Sequence, residues 1–301
     1  DGEGTKYTVG ICQLVQHEAL DAATQGFIDA LNEALPGQVE FQNKNASGDN
    51  ANCSTIVNGF VSDGVDLIMA NATPALTAAA AATSDIPILG TSITDYGVAL
   101  GVDNWTGVSG TNISGTSDLA PLDGQAAMIQ ELFPDAKTIG LLYSNSEANS
   151  TTPIAEAKAY LDAKGIAYVE KTGNTNDEIM TAASSMVGQV DAVFTPTDNV
   201  VMAAAAAVSE TLTKGGIPFY TGADSFVTAG AFATCGVNYT ELGTYTADMA
   251  LDILETGVVP AYHIMDGGII TVNTETAAAL GIDYSAFNDL AGQVVEVTTA
   301  E

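Results

Sequence analysis

VDLIMANATPALTAAAA (residues 65–81) and VDAVFTPTDNVVMAAAA (residues 190–206) share one plan: Val-Asp, a short apolar run, a polar break containing proline, then alanines and aliphatics. A short apolar run reads as a buried strand, and an alanine-rich stretch after a polar turn reads as a helix, so each segment is a strand–loop–helix unit. The likeness extends outward from both. TVGICQL (8–14) is answered by TIGLLYS (138–144), and IPILGTS (86–92) by IPFYTGADS (217–225), at offsets of about 125 to 132 residues. Chance similarity among apolar strands does not preserve order and spacing across three blocks. The chain therefore reads as two copies of one α/β half.

Strands are expected at 7–14, 38–44, 65–70, 86–90, 138–143, 166–171, 190–195 and 217–221, with helices at 18–35, 74–83, 155–164, 176–187 and 200–213. Strands alternating with helical patterns form βαβ units. The expected fold class is α/β, two Rossmann-like lobes with parallel sheets, and 301 residues with 47% hydrophobic content suffice for two cores. In such sheets ligands bind beyond the carboxyl ends of the strands, where loops lead into helix N-termini. If the two lobes face each other, those ends line a cleft. The repeat then nominates Gln13, His17, Asn71, Thr73, Thr91 and Ser92 from the first copy. From the second come the loop Ser144 to Ser150, with Ser146, Glu147 and Asn149, then Thr197, Asp198, Asn199, Asp224 and Ser225.

Charge narrows the chemistry. All seven basic residues are lysine, against 37 Asp+Glu, for a formal net charge of -30. Nucleic acids and anionic membrane surfaces both need cations to replace their counterions, so neither is an expected partner; a solvated acidic surface is the simpler use of the charge. Cys12, Cys53 and Cys235 are odd in number and far apart, which suggests neither a disulfide framework nor a zinc site, and Cys12 in TVGICQLV reads as a small buried hydrophobe. The longest apolar stretches, about ten residues, are too short to span a bilayer. The start, DGEGTKYTVG, has no charged n-region or apolar h-region, leaving open a cytoplasmic chain or one whose signal has been removed.

With no arginine, a bidentate Arg clamp on an anion is excluded, and helix N-termini are the remaining way to hold a carboxylate. Glu147, Asp198 and Asp224 can accept hydrogen bonds from an ammonium. Together these describe a site for a small zwitterion. Each of these residues could equally be only a helix cap, and Thr152 before Pro153 has the form of one. His17 lacks a serine in a G-x-S-x-G elbow, and no G-x-G-x-x-G, P-loop or metal-ligand spacing occurs. No catalytic residue, cofactor or metal is expected. Seven N-x-[ST] triplets, several on expected strand ends, read as accidents of composition.

QLVQHEALDAATQGFIDAL (13–31), GTSITD (90–95), VSGTNISGTSDLAP (108–121), LLYSNSEANS (141–150), TPTDNVV (195–201) and VNYTELGTYTADMALDILETG (237–257) resemble the solute-binding proteins of ABC transporters of the tryptophan and tyrosine (aromatic amino acid) type. The resemblance implies a type I periplasmic-binding-protein fold with lobes of 1–115 plus 242–269 and 116–241 plus 270–301. It places crossovers near 114–117, 238–242 and 267–271, with a helix at 243–256 returning to the first lobe. It implies ligand contacts at Gln13, His17, Thr73, Ser92, Ser146, Glu147, Asn149, Ser150, Asp198 and Asp224, an amino acid ligand and an ABC permease as partners, and a monomer. It also implies an extracytoplasmic location, periplasmic or as a cell-surface lipoprotein, after loss of a signal peptide. Tyr143, Phe226 and Tyr239 are candidates for the aromatic wall of the pocket, and Trp105 is unplaced. Two rival readings are an enzyme on a small polar substrate and the ligand-sensing domain of a regulator.

Overall fold

The computed structural model describes residue 4, residues 6–120 and residues 122–301. The chain divides into two compact units, Asp1–Leu119 with Asn238–Met265 and Ala120–Val237 with Asp266–Glu301. In chain order the strands are β1 (Tyr7–Gln13), β2 (Val39–Asn45), β3 (Leu67–Asn71), β4 (Ile88–Ile93), β5 (Ile113–Ser117), β6 (Thr138–Tyr143), β7 (Ala167–Thr172), β8 (Ala192–Thr195), β9 (Phe219–Thr221), β10 (Ala233–Gly236), β11 (His263–Ile264), β12 (Ile269–Asn273) and β13 (Gln293–Val297).

Unit 1 holds a six-stranded sheet in the order β11-β5-β4-β3-β1-β2, and unit 2 a seven-stranded sheet in the order β13-β12-β10-β9-β8-β6-β7. The duplication is visible as topology, because β2-β1-β3-β4-β5 and β7-β6-β8-β9-β10 are the same arrangement. Every pair in the first sheet is parallel. The second sheet departs from the all-parallel expectation at one place, where β12 returns antiparallel to β10.

Strands buried on both faces explain why the apolar runs are continuous rather than alternating. In β1, Val9 and Ile11 pack with Phe27 and Leu31 of helix Glu18–Ala34 and with Ala250 of helix Tyr239–Thr256. Cys12, on the opposite face, packs with Val57 and Phe60 of helix Asn50–Asp63. That helix is absent from the expected set because polar residues dilute its apolar positions. It is fixed locally by Asp49 Oδ1, which accepts from the Ala51 amide at 2.7 Å, and ends at left-handed Gly64. The helix expected at 200–213 is two, Asn199–Ala203 and Ala205–Lys214, broken at Ala204 (φ -104, ψ 6).

The changes between units come at 119/120, 237/238 and 265/266, against crossovers expected near 114–117, 238–242 and 267–271; residues 114–117 lie in β5 and 239–242 in the first turn of helix Tyr239–Thr256. Helix Tyr239–Thr256 starts earlier than the expected 243 because Asn238 Oδ1 caps it, accepting from the Glu241 amide at 3.0 Å.

This helix crosses helix Glu18–Ala34 so closely that a methyl at Gly26 would lie 2.5 Å from the Thr240 carbonyl oxygen, and one at Gly243 would overlap the carbonyl of Ala23. Gly59, in the middle of helix Asn50–Asp63, has open space around it. Gly243→Ala should therefore destabilise unit 1 by about 2 kcal/mol or more through overpacking. Gly59→Ala should stabilise it by about 0.5–1 kcal/mol by lowering the entropy of the unfolded chain. Urea denaturation of the two variants tests the pair, and equal effects would contradict the crossing geometry.

Candidate ligand site

In unit 1 the carboxyl ends of β3 and β4, which are neighbours in the sheet, carry both backbone strain and unspent polar atoms. Ala72 (φ 89) and Ser92 (φ 57), neither of them glycine, hold positive φ directly after or within these strand ends. Such conformations cost on the order of 1–3 kcal/mol each and persist where the surroundings enforce them. Beside them Asn71 Oδ1, Thr73 Oγ1 and Ser92 Oγ are buried with no hydrogen-bond partner. Helix Thr73–Ala82 begins here with no side-chain cap bond and with Pro74 in its first turn. Its N-terminal amides and partial positive charge suit a carboxylate.

The neighbouring residues are committed to structure. Gln13 donates from Nε2 to Asp21 Oδ1 (2.7 Å) and to the Val15 carbonyl (2.8 Å), and accepts from Thr24 Oγ1 (2.7 Å). Asn71 Nδ2 donates to Thr24 Oγ1 and to the Leu20 carbonyl, both at 2.9 Å. Thr91 is fully buried and shares hydroxyl contacts with Thr116 (3.3 Å) and Thr246 (3.1 Å). His17 caps helix Glu18–Ala34, accepting from the Leu20 amide on Nδ1 at 3.5 Å, so in this pose its imidazole is an acceptor rather than a general acid at that nitrogen.

In unit 2 the loop after β6 is clamped to the loop after β8 by one carboxylate. Asp198 Oδ1 accepts from the Val200 and Val201 amides (3.0 and 2.9 Å), and Oδ2 accepts from the Ser144 amide (2.8 Å) and Ser150 Oγ (2.7 Å). All four lone-pair sites are filled, and the residue is 0% exposed. Both its oxygens are committed to this structural clamp, into which Ser150 is also drawn. Burial raises its pKa, opposed by these four donors.

Glu147 is different. Its Oε2 accepts from both the amide (3.2 Å) and Nδ2 (2.9 Å) of Asn199, while burial and the nearby Asp198 charge push its pKa up to about 7. Its own amide donates to the Ser144 carbonyl at 3.3 Å, so it offers a side chain, not a backbone N–H, to a ligand. Asn149 Nδ2 donates to the Thr197 carbonyl (2.8 Å), leaving its buried Oδ1 unpartnered, and Ser225 Oγ is likewise buried without a partner. Asp224 opens helix Asp224–Thr228 and is partly exposed. Ser146 is exposed, and its hydroxyl meets Ser144 Oγ at 2.7 Å. Asn174, not nominated from sequence, joins them by accepting from Ser144 Oγ (3.0 Å) and the Ser146 amide (3.3 Å). It follows β7, a strand whose carboxyl end the same positional rule would have covered.

Pro153 sits third in helix Thr151–Lys164, after a 3-10 turn at Ala148–Ser150, rather than first behind a Thr152 cap. The first amides of a helix have no intrahelical acceptor, so a missing N–H costs nothing there. The aromatic candidates are also engaged. Tyr239 donates to Asp118 Oδ2 at 2.6 Å, Tyr143 donates to Glu170 at 2.8 Å, and Phe226 is buried. Trp105 packs in unit 1 against Tyr96 and Tyr262, at centroid distances of 6.0 and 5.6 Å. Among the described residues no group of three or more His, Cys, Asp and Glu is placed to hold a metal ion, and no helix is long and apolar enough to cross a membrane.

The comparisons with known proteins point one way. The chain is 37% identical over 280 residues to a tyrosine-binding protein of Clostridioides difficile (strain R20291), covering 90% of this chain and 80% of that one. Among solved structures it is similar to an ABC domain in complex with L-Trp from Streptococcus pneumonia (TM-score 0.90, 31% identity, 97% of this chain and 100% of that chain). It is also similar to the ligand-free, open structure of a substrate binding protein with adhesive properties from Clostridium difficile (TM-score 0.75, 36% identity, 98% and 100%). The family model for ABC transporter substrate binding proteins matches residues 8–294. Sheets of matching strand order, strand ends lined with unspent polar atoms, and a match along nearly the whole chain place this protein in the ABC transporter substrate binding protein family.

Proposed function

We propose that this chain binds an aromatic amino acid and hands it to an ABC permease, working outside the cytoplasm as a monomer and catalysing no reaction. The observation that carries the reading is the set of buried, unpartnered polar atoms at strand ends: Asn71 Oδ1, Thr73 Oγ1 and Ser92 Oγ in unit 1, Asn149 Oδ1, Thr195 Oγ1 and Ser225 Oγ in unit 2. Native proteins leave few such groups, because each costs about 1–3 kcal/mol unless something else satisfies it. A ligand rich in hydrogen-bonding groups is what satisfies them. We assign the ligand ammonium to Glu147. The aromatic side chain is supported by the tyrosine and tryptophan named for two relatives.

Isothermal titration with tyrosine, tryptophan and phenylalanine should give one site per chain for at least one of them. Silence from all three refutes the aromatic assignment. Disappearance of the bound amino acid on long incubation refutes the non-enzymatic role.

A further inference from the structure

Cys12 and Cys53 are 41 positions apart in sequence and are brought together in unit 1. Helix Asn50–Asp63 lies against β1 so tightly that a methyl on Gly10 would sit 2.6 Å from the Phe60 ring. Two residues along a strand return to the same face, and seven along a helix make two turns and do the same. Gly10 plus two is Cys12, and Phe60 minus seven is Cys53, with Val57 between them on the helix face. Both side chains are free thiols, 0% exposed and packed in the same buried cluster, close enough for each to shift the other's titration. Sequence spacing alone gave no hint of a pair. Cys235, in unit 2, has no thiol neighbour of this kind.

From this juxtaposition we infer that Cys12 and Cys53 are a disulfide-forming pair that ties β1 to helix Asn50–Asp63. Cys53 lies in the first turn of its helix, where the unpaired amides and partial positive charge favour a thiolate, and is the attacking sulfur. With an external disulfide as oxidant, the Cys53 thiolate attacks one of its sulfurs, forms a mixed disulfide and releases one thiolate, which takes up a proton. The Cys12 thiol then gives its proton to the second departing thiolate as its sulfur bonds to Cys53 Sγ. The protein loses two hydrogens and two electrons, and the oxidant becomes two thiols. Because both sulfurs are buried, the first step requires the initial turn of the helix to open. The bond closes a loop of about forty residues, long enough for a sizeable restriction of the unfolded chain.

The test is to refold the reduced, denatured protein in a buffer of reduced and oxidised glutathione, then alkylate and map peptides without reduction. The expected product is lighter by two hydrogens, has Cys12 and Cys53 peptides linked, and carries the alkyl group on Cys235. Its Tm should lie about 5 °C or more above that of the reduced protein and return on adding reductant. Cys12→Ser and Cys53→Ser should each abolish both the link and the rise. Three singly modified cysteines, or a link involving Cys235, would overturn the inference. None of these readouts depends on the ligand assignment, so either can fail alone.

Discussion

Asp198→Ala should destabilise unit 2 by about 3 kcal/mol or more, among the largest losses expected from any single side chain in the protein. The reason is arithmetic of donors. The carboxylate is the common acceptor for two backbone amides at the start of helix Asn199–Ala203, for the Ser144 amide and for the Ser150 hydroxyl. Removing it strands four donors, three of them in fully buried hydrogen bonds. Asp198→Asn should fall between, since its oxygen can still serve Val200 and Val201 while its amide group faces the Ser144 N–H donor to donor. Hydrogen exchange at Ser144, Val200 and Val201, with urea denaturation, reads the effect where it arises. A loss under about 1 kcal/mol for the alanine variant would show that the clamp is unimportant and would restore Asp198 as a candidate ligand contact.

The repeat in the sequence carried the fold because a duplicated parallel sheet repeats its burial, and burial writes itself as apolar runs. The matching strand order of the two sheets and the placement of Thr73, Ser92, Glu147 and Asn149 at strand ends follow from that logic, whereas the return of helix Tyr239–Thr256 to unit 1 came from the family resemblance. What was not legible was the division of labour among polar residues. Gln13, Thr91 and Asp198 have the same composition signal as Ser92 and Glu147, and only three-dimensional partners separate an occupied hydrogen-bonding group from an unspent one. The Cys12–Cys53 pair was hidden for a related reason. Helix Asn50–Asp63 buries Cys53, Val57 and Phe60, but Ile56 and Val61 fall off that face and Asn, Ser, Thr and Gly interrupt it, so its apolar face is weak as a pattern although it is closely packed as a surface.

Glu147 sets the second large effect, which is a dependence of binding on pH. Burial, reinforced by the negative charge of Asp198, holds its pKa near 7 rather than the ordinary 4.5. The sign for stability follows from linkage. At about pH 4 the carboxyl is protonated folded or unfolded, and nothing is lost. As pH rises through 4.5 towards 7 the unfolded chain ionises first, so stability falls by up to about 3 kcal/mol and stays low above 7. Glu147→Gln keeps an oxygen for Asn199 and removes this penalty, so the ligand-free variant should melt higher than the parent at about pH 8 and at the same temperature at about pH 4. For binding the sign is opposite. An ammonium beside the carboxylate favours its charged form, so a ligand arriving below pH 7 must displace a proton. Titration at about pH 7.5 and pH 5.5 should show affinity weaker by tenfold or more at the lower value, with proton uptake by the buffer, while Glu147→Gln should bind weakly and with a flat profile. A parent protein with equal affinity at both values would remove Glu147 from the ammonium and leave its raised pKa as a cost of burial without a function attached. A higher melting temperature combined with lost binding would instead identify it as a residue kept unstable because the ligand needs its charge.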